Sequence, residues 1–398
     1  MASSVESAVV PAIGTGGSLS AVRSLGRQGI NTIAVSDQAR PPSFSSRYCG
    51  ETETVPDPAT DLQGYSDALL ALARRDDVGL IVPVREPDVY VLAKDRERFA
   101  DHLKTPWPTF EQLRRVHDRI ELFDAAERAG VTVPETCLLD EVEDWGRERI
   151  VKGRHAILTP DNTETVPDGQ FRTPPKTTFL EPGQRPDVDG IVAEMGHVPI
   201  AQAYVDGTEY CFRGLYRDGE AVVTSQKRLV RGYKYSRGPS IYHEAVDLPG
   251  LEAAGRALLD ELDWEGIASV GFIRDDDGTF SLLEINPRIP SSLPMDSHAG
   301  LDYPYYWWRL ANDRPVGDHR SDYHSGVASH LVRGEAAHLH SVLTEEYALT
   351  ERPSVPGTVW NIASSLVTQP HFDYFSLDDP APFARDWLNI ADGVLGGE

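Results

Sequence analysis

The sequence predicts a multidomain protein of the α/β class, and three observations carry that prediction. The chain has 398 residues, more than one hydrophobic core usually takes. Residues 8–37 show a strand, a glycine-rich turn, a helix and a second strand, which is the βαβ opening of a parallel sheet. Residues 268–283 form two apolar runs joined by an Asp-Gly turn, which predicts an antiparallel hairpin. A parallel-sheet domain followed by a mixed α+β domain is therefore expected.

The composition is strongly acidic, with a formal net charge of −24 and 62 acidic against 38 basic residues. Only six of the basic residues are lysine, and the acids are spread along the chain. Such self-repulsion is screened by salt, so we expect a halophilic protein from a high-salt cytoplasm, with an ordinary acidic enzyme as the alternative. A nucleic-acid partner is disfavoured, because no basic patch could neutralise phosphates.

Nothing in the sequence indicates a membrane or secreted location. No run of 18 apolar residues is present, and the N-terminus lacks a basic segment followed by an apolar one. Cys49, Cys137 and Cys211 lie far apart and do not show metal-ligand spacing. A reducing, cytoplasmic compartment is expected, with no membrane partner.

The glycine-rich turn after the first strand invites a dinucleotide-binding interpretation. The following helix is predicted over residues 19–28 with Ser18 as its cap, and Asp37 ends the second strand. However, the third glycine of the G-x-G-x-x-G pattern would fall at Leu19, which disfavours the interpretation. Arg85 and Glu86, after a later buried strand, are candidate substrate contacts, with a solvated loop as the alternative.

The most informative stretch is the end of the second hairpin strand. Glu284, Asn286 and Arg288 alternate with other residues, so in a strand they share one face. A carboxylate and an amide oxygen suit Mg²⁺, and a guanidinium grips anionic oxygens in a fork. The alternative from the residues alone is a strand end whose acid pairs with its own arginine.

The unit of strand, Asp-Asp-Asp-Gly turn, strand and Glu-Ile-Asn-Pro-Arg resembles the nucleotide site of ATP-grasp ligases, especially carboxylate–amine ligases and carbamoyl-phosphate-synthase-like proteins. The resemblance implies a Rossmann-like domain (1–107), a linker helix with a lid subdomain (108–203), a second ATP-grasp subdomain (204–313) and a C-terminal extension (314–398). It also implies that Glu284 and Asn286 bind Mg²⁺ or Mn²⁺ and that Arg288 serves the phosphoryl or acyl-phosphate group.

Two further segments resemble parts of the same nucleotide site. Lys152 ends a short strand, where the family places a lysine on the α- and β-phosphates of ATP. Arg119 replaces the lysine of a family segment that leads into the lid and also touches the phosphates. The resemblance assigns both residues to ATP.

Residues 198–216 resemble the hinge that holds the nucleoside. The resemblance implies adenine contacts from Gln202, Ala203 and Val205, and it places the ribose hydroxyls on Glu209. A carboxylate suits a diol because it can accept two hydrogen bonds.

A cationic cluster follows at residues 227–237, with five cations within eleven residues of an otherwise acidic chain. Such a cluster needs an anionic partner. The resemblance implies that Lys227 and Arg228 serve the γ-phosphate and the substrate carboxylate, with a solvated hairpin as the alternative.

The sequence departs from the family in two places. Residues 153–190 are polar and proline-rich where a glycine-rich phosphate loop is expected, and they predict a long mobile lid insert. Gly271 stands where the family usually has an acidic metal ligand. Weak binding of one Mg²⁺ and loss of catalysis are both compatible with that glycine.

The reaction implied by the resemblance is ATP-dependent joining of a small-molecule carboxylate to an amine through an acyl-phosphate. The alternatives are a non-catalytic nucleotide-binding protein and a Rossmann NAD(P)-dependent oxidoreductase. A homodimer is left open.

Overall fold

The computed structural model describes residues 6–236, 238–347 and 349–396. Its first sheet contains the strands β1 (Ser7–Pro11), β2 (Asn31–Ser36), β3 (Glu51–Thr54) and β4 (Val78–Ile81). They are parallel and lie in the order β3–β2–β1–β4. The connecting helices are α1 (Gly16–Arg27), α2 (Leu62–Ala73), α3 (Glu86–Lys94) and α4 (Arg96–Ala100). The predicted βαβ opening is confirmed.

The cap of α1 differs from the prediction. Thr15, not Ser18, is the cap residue, and its Oγ1 accepts a hydrogen bond from the Ser18 N–H at 3.4 Å. The Ser18 hydroxyl turns inward and donates to the Pro11 carbonyl at 2.7 Å. The helix therefore begins earlier, at Gly16, because two glycines of the turn belong to its first turn.

A second, antiparallel sheet follows the linker helices α5 (Phe110–His117) and α6 (Arg119–Arg128). Its strands are β5 (Thr136–Leu138), β6 (Arg149–Lys152), β7 (Thr178–Leu180) and β8 (Ile200–Ala203), in the order β5–β8–β6–β7. Helix α7 (Val188–Met195) precedes β8. Lys152 therefore ends a strand that pairs with the predicted hinge strand.

The third sheet is antiparallel and has six strands. These are β9 (Thr208–Arg217), β10 (Glu220–Gly232), β11 (Ser240–Ala245), β12 (Gly266–Arg274), β13 (Phe280–Asn286) and β14 (Ala328–His330), in the order β13–β12–β9–β10–β11–β14. Helix α8 (Pro249–Glu261) covers one face, where Phe212, Val270 and Phe272 are fully buried. A Cβ on Gly255 of this helix would lie 2.2 Å from the Phe212 ring, so close packing requires glycine there.

The C-terminal extension is built onto the other units. After α9 (Leu293–His298) and α10 (Tyr303–Ala311), strand β14 adds to the six-stranded sheet, and α11 (Val332–Thr344), α12 (Val355–Thr368) and α13 (Ala381–Gly396) follow. Arg23 of α1 forms a buried ion pair with Asp379 at 2.9 Å. Short 3₁₀ turns lie at Pro42–Ser45, Leu139–Glu141 and Arg320–Asp322. Among the described helices, none is long and apolar enough to cross a bilayer.

The first part of the insert 153–190 packs against the first domain, and its residues 178–180 form β7 of the second sheet, so the insert is not one free loop. Its predicted mobility stays a prediction. Ile157 and Leu158 are almost completely buried. Asp161 forms an ion pair with Lys94 at 2.7 Å, and the Gly169 carbonyl accepts from the Leu62 N–H at 2.7 Å. The segment has few apolar residues, but Ile157, Leu158, Val166 and Leu180 are buried and hold it against its neighbours.

Candidate active site

One face of the six-stranded sheet collects the predicted site residues in a row. Gly271 is paired with Glu284 on one side and with Cys211 on the other, and Cys211 is paired with Lys227. Directly opposed residues of antiparallel strands point to the same side. The pairing therefore sets Glu284, Gly271, Cys211 and Lys227 side by side across four strands.

A second row on the same face anchors helix α9. Asn286, Ser269, Arg213 and Ser225 are paired in turn across the sheet. The Arg213 guanidinium forms an ion pair with Asp296 of α9, and both side chains are at most 1% exposed. The Ser225 hydroxyl also donates to Asp296, at 2.6 Å. This buried group holds α9 against the sheet. It thereby also holds the loop that contains Arg288 and leads into α9.

Five side chains form a hydrogen-bonded chain at the end of β13. The Asn286 amide nitrogen donates to Glu284 at 3.1 Å, and the Arg288 Nη2 donates to the Asn286 oxygen at 3.0 Å. The Arg288 Nε donates to Glu86 at 3.1 Å, and His117 bonds the other Glu86 oxygen at 3.0 Å. Arg288 is thus paired with Glu86 of α3, not with Glu284, so the self-paired strand end is not what the structure shows.

Two cations from other elements lie beside Glu284. The Arg119 Nη2 is 3.3 Å from its carboxylate, and Arg119 also donates to the Gly153 carbonyl at 2.7 Å. Burial opposes ionisation of Glu284, but Arg119 and Lys152 outweigh it and lower its pKa. Burial, reinforced by Arg119, lowers the pKa of Lys152 to about 7, although Glu284 acts in the opposite sense. Glu284 is therefore an ionised carboxylate within a cationic surround.

The Glu284 carboxylate is accessible although it lies deep in the protein. Its side chain is 47% exposed because a cavity of about 90 Å³ opens onto it, bordered also by Asn286, Arg288, Arg119 and Glu86. Glu284 and Asn286 offer the hard oxygen atoms that Mg²⁺ or Mn²⁺ takes. The residues present therefore fit a divalent cation. To bind the metal, the Asn286 oxygen would have to give up the hydrogen bond that it accepts from Arg288.

Gly271 leaves space beside Glu284. A Cβ built there would meet the Glu284 Cγ and carbonyl oxygen at 3.7 Å, which is ordinary van der Waals contact. The strand register shifts between Gly271 and Phe272, as at a β-bulge, and such irregularities re-aim side chains. The backbone accordingly tolerates a side chain at the position where the sequence lacks a metal ligand.

The predicted hinge residues lie on β8 and just after it. Gln202 is 1% exposed; its amide nitrogen donates to Thr136 at 2.8 Å, and its buried oxygen has no hydrogen-bond partner among the described residues. That oxygen could accept from an adenine amino group. The Ala203 N–H already donates to the Glu135 carbonyl at 2.8 Å, so this donor is not available for adenine. Val205 follows β8, in the segment leading to β9.

Glu209 borders the larger cavity of this face, with a volume of about 330 Å³. Arg231 and Lys234 of the β10–β11 hairpin border it as well, and so does the segment 349–351 of the C-terminal extension. Glu209 alternates with Cys211 along β9, so it belongs to the same face as the row containing Glu284. The cavity has room for a nucleoside. Its charge does not by itself favour phosphates, because Asp206 and Glu351 border it too, and Arg231 and Lys234 are paired with Glu335 and Glu345.

Lys227 and Arg228 separate in the structure. Lys227 faces the site row, and burial lowers its pKa. Arg228 is the next residue of the strand and so points to the opposite face, where it forms an ion pair with Glu244. The catalytic role predicted for Arg228 therefore has no support from the geometry.

The space beside the glycine-rich turn is occupied by another segment of the same chain. A Cβ on Gly16 would lie 2.8 Å from the Ser291 carbonyl oxygen, and one on Gly17 would lie 2.3 Å from that of Pro290. Asp37, the expected ribose ligand of a dinucleotide, is instead bound to Arg85 at 3.1 Å. These glycines let the loop after Arg288 approach the first domain, which explains them without a dinucleotide.

His117 is the site residue that the sequence did not indicate. It ends α5 and reaches the site only through its bond to Glu86. Glu86 itself stood out as a candidate substrate contact, and the structure brings it to Arg288. A lone histidine at a helix end carries no sequence signal, so only the tertiary contact identifies it.

The structure is similar to several solved enzymes, all at low sequence identity. An ADP complex of N5-carboxyaminoimidazole ribonucleotide synthetase matches with a TM-score of 0.61 and 13% identity, covering 92% of this chain and 98% of that one. The biotin carboxylase domain of Hydrogenobacter thermophilus 2-oxoglutarate carboxylase has a TM-score of 0.61 and 14% identity, covering 81% and 73%. L-amino acid ligase from Bacillus licheniformis has a TM-score of 0.59 and 14% identity, covering 81% and 78%.

No protein-family model and no curated protein sequence matches the chain. The similarity is therefore one of architecture. The three solved enzymes are ATP-grasp proteins, and the similarity to them covers 81% to 92% of this chain. The chain has the predicted ATP-grasp fold.

Proposed function

We propose that this protein is an ATP-dependent ligase that joins a carboxylate to an amine through an acyl-phosphate and uses Mg²⁺ or Mn²⁺. One observation carries the proposal: Glu284, Asn286, Arg288 and Arg119 border one cavity, and Lys152, from a third part of the chain, lies close enough to Glu284 and Arg119 for their charges to act on its pKa. A cavity bordered by cations and by hard oxygen donors suits an anionic ligand together with a divalent cation.

The solved neighbours support the choice of ligand. One is a complex with ADP, and another contains MgADP, ADP and bicarbonate. A third is an amino acid ligase. ATP with a divalent cation, together with a small-molecule carboxylate and an amine, is therefore the combination proposed for this site.

The chemistry would proceed in two displacements. A carboxylate oxygen attacks the γ-phosphorus, the bond to ADP breaks, and an acyl-phosphate results. The amine then attacks the acyl carbon and loses a proton, and phosphate leaves with the oxygen that the carboxylate supplied. Positioning and charge neutralisation supply most of the catalysis in such transfers.

The chain's residues have distinct parts in this scheme. Glu284 and Asn286 would hold the metal ion, which would neutralise charge on the phosphate oxygens when bound. Lys152 and Arg119 would bind the phosphates. Arg288 would grip the acyl-phosphate, and its bond to Glu86 fixes the orientation of its guanidinium.

A non-catalytic nucleotide-binding protein is the second candidate, and Gly271 is the observation that favours it. The dinucleotide-dependent oxidoreductase is not proposed further, because the loop 289–291 occupies the space at the glycine turn.

The test is substrate-dependent release of ADP. Pairs of amino acids and small carboxylates are screened with ATP and Mg²⁺ in concentrated KCl, for the wild type, Glu284→Gln and the matched control Glu261→Gln. Glu261 pairs with Arg128 at the surface and lies outside the lining of the Glu284 cavity. We expect activity in the wild type and the control, and a loss of at least about 100-fold in folded Glu284→Gln.

Two results would count against the proposal. Wild-type rates of ADP release in folded Glu284→Gln would rule out the proposed metal-binding role of Glu284. Tight binding of ATP with no ADP release for any pair would favour the non-catalytic protein.

A further inference from the structure

Helix α12 turns polar residues towards the protein and apolar residues towards solvent, the reverse of an ordinary surface helix. Thr358 and Ser365 are buried, and the Ser365 hydroxyl accepts a hydrogen bond from Arg231 at 2.7 Å. Val359, Trp360 and Val367 are exposed at 47%, 72% and 80%. A helix normally turns its apolar side inward, so this outward apolar side calls for a covering partner.

The outward residues form one narrow stripe. Pro356, Trp360, Ala363 and Val367 recur at the spacing of three to four residues that places side chains on one line of a helix. The small Ala363 lies in the middle of the stripe. Larger residues lie on both sides of it, so the stripe is complementary to its own copy in antiparallel orientation.

Charge indicates what kind of partner covers the stripe. The chain carries a net charge of −24, yet the segment from Pro353 to Pro370, which contains the whole of α12, has no charged residue. A second copy would be repelled by most of this acidic surface, and this charge-free face is where it could approach. An anionic membrane is disfavoured, since the helix lacks the lysines and arginines of membrane-surface helices.

We propose that α12 is the interface between two copies of this chain, packed antiparallel about a two-fold axis at Ala363. Such an isologous contact brings Ala363 against its own copy and lays each Trp360 against the partner's stripe. The inference is independent of the ligase chemistry. Because salt screens the repulsion between the two acidic chains, the dimer becomes more stable as KCl concentration rises.

The test is sedimentation velocity of the full chain in 0.3 M and 2 M KCl. We expect the wild type to sediment as a dimer, with twice the chain mass of 43.9 kDa, and its dissociation constant to fall at the higher salt. Trp360→Glu should raise that constant at least about 100-fold. Leu377→Glu is the matched control: Leu377 is 88% exposed but lies outside α12, so this variant should remain dimeric. Circular dichroism verifies that each variant is folded.

Cross-linking tests the geometry separately. In Ala363→Cys, a short bis-maleimide should join two chains, whereas Leu377→Cys and the wild type should stay uncoupled. A wild type that is monomeric in 2 M KCl would overturn the proposal. This holds whether or not α12 is then found to bind lipid vesicles or another protein. Dimeric, folded Trp360→Glu, or equal cross-linking of Leu377→Cys, would overturn it as well.

Discussion

Lys152 gives the site a signature that can be measured without turnover. Burial and Arg119 lower its pKa to about 7, so at pH 8 most of this lysine is neutral in the free protein. Nucleotide phosphates would stabilise the charged form and raise that pKa. Binding of a non-hydrolysable ATP analogue at pH 8 should therefore take up about one proton, and binding at pH 6 should take up almost none, since Lys152 is then already charged.

Calorimetry in buffers with different ionisation enthalpies measures this uptake. Lys152→Arg should still bind the analogue but lose the uptake at pH 8, because arginine remains charged. An unchanged uptake in Lys152→Arg would assign the proton to another group and contradict the role of Lys152.

Gly271 stands where ATP-grasp ligases usually have an acidic metal ligand. A substitution can supply the missing carboxylate. Gly271→Glu should fit, because a Cβ there makes only ordinary contacts and the new carboxylate would lie beside Glu284. We expect about tenfold tighter binding of Mn²⁺ in the presence of the ATP analogue, equivalent to about 1.4 kcal/mol. Titration of free Mn²⁺ by electron paramagnetic resonance measures it. Gly271→Ala is the control, and equal affinities in the two variants would rule out a metal-facing position.

The sequence predicted some of these residues well and others poorly, for a physical reason. Alternation along a strand is a local property, so the sequence alone was enough to place Glu284 and Asn286 on one face. Arg288 lies two residues beyond the end of the strand and joins them through its hydrogen bond to Asn286. The same rule should have separated Lys227 from Arg228, which are adjacent in β10. The contacts of Glu86 and His117 join distant parts of the chain and leave no local pattern.

Among the elements, α9 depends most on a single buried contact. Arg213 of β9 and Asp296 of α9 form an ion pair that is buried from solvent. Removing one partner leaves the other charge buried and unpaired, which costs about 3–5 kcal/mol. Asp296→Ala should lower the free energy of unfolding by that amount in urea titrations. Asp67→Ala, which removes an exposed carboxylate of α2 paired with Arg98, should leave it almost unchanged; similar losses in both variants would refute the argument.

Element types were more predictable than their docking. The hairpin, the strand ending at Lys152 and the opening βαβ unit follow from apolar periodicity and turn residues. The packing of the insert 153–190 does not, because it depends on Asp161 meeting Lys94 and on backbone bonds between residues far apart in sequence.

For the whole molecule, the order of weak motifs was more informative than any one of them. The glycine turn, Lys152, the hinge and the Glu-Ile-Asn-Pro-Arg strand follow one another as in the ATP-grasp fold that the structure shows. The attachment of residues 314–398 could not be predicted, since β14 finds its place by pairing with β11, far back in the chain. The argument for the proposed α12 interface and the prediction of a high-salt environment both use the same acidic composition.

The central claim is that a carboxylate becomes an acyl-phosphate in this site, and oxygen transfer tests it most directly. The carboxylate of an active substrate pair is labelled with ¹⁸O, and the phosphate released in the presence of ATP, Mg²⁺ and the amine is analysed by ³¹P NMR. The proposed route predicts one ¹⁸O atom in each phosphate formed, because the carboxylate oxygen that attacks the γ-phosphorus leaves with it. Phosphate without label, formed together with the ligated product, would contradict the acyl-phosphate and with it the function proposed for this protein.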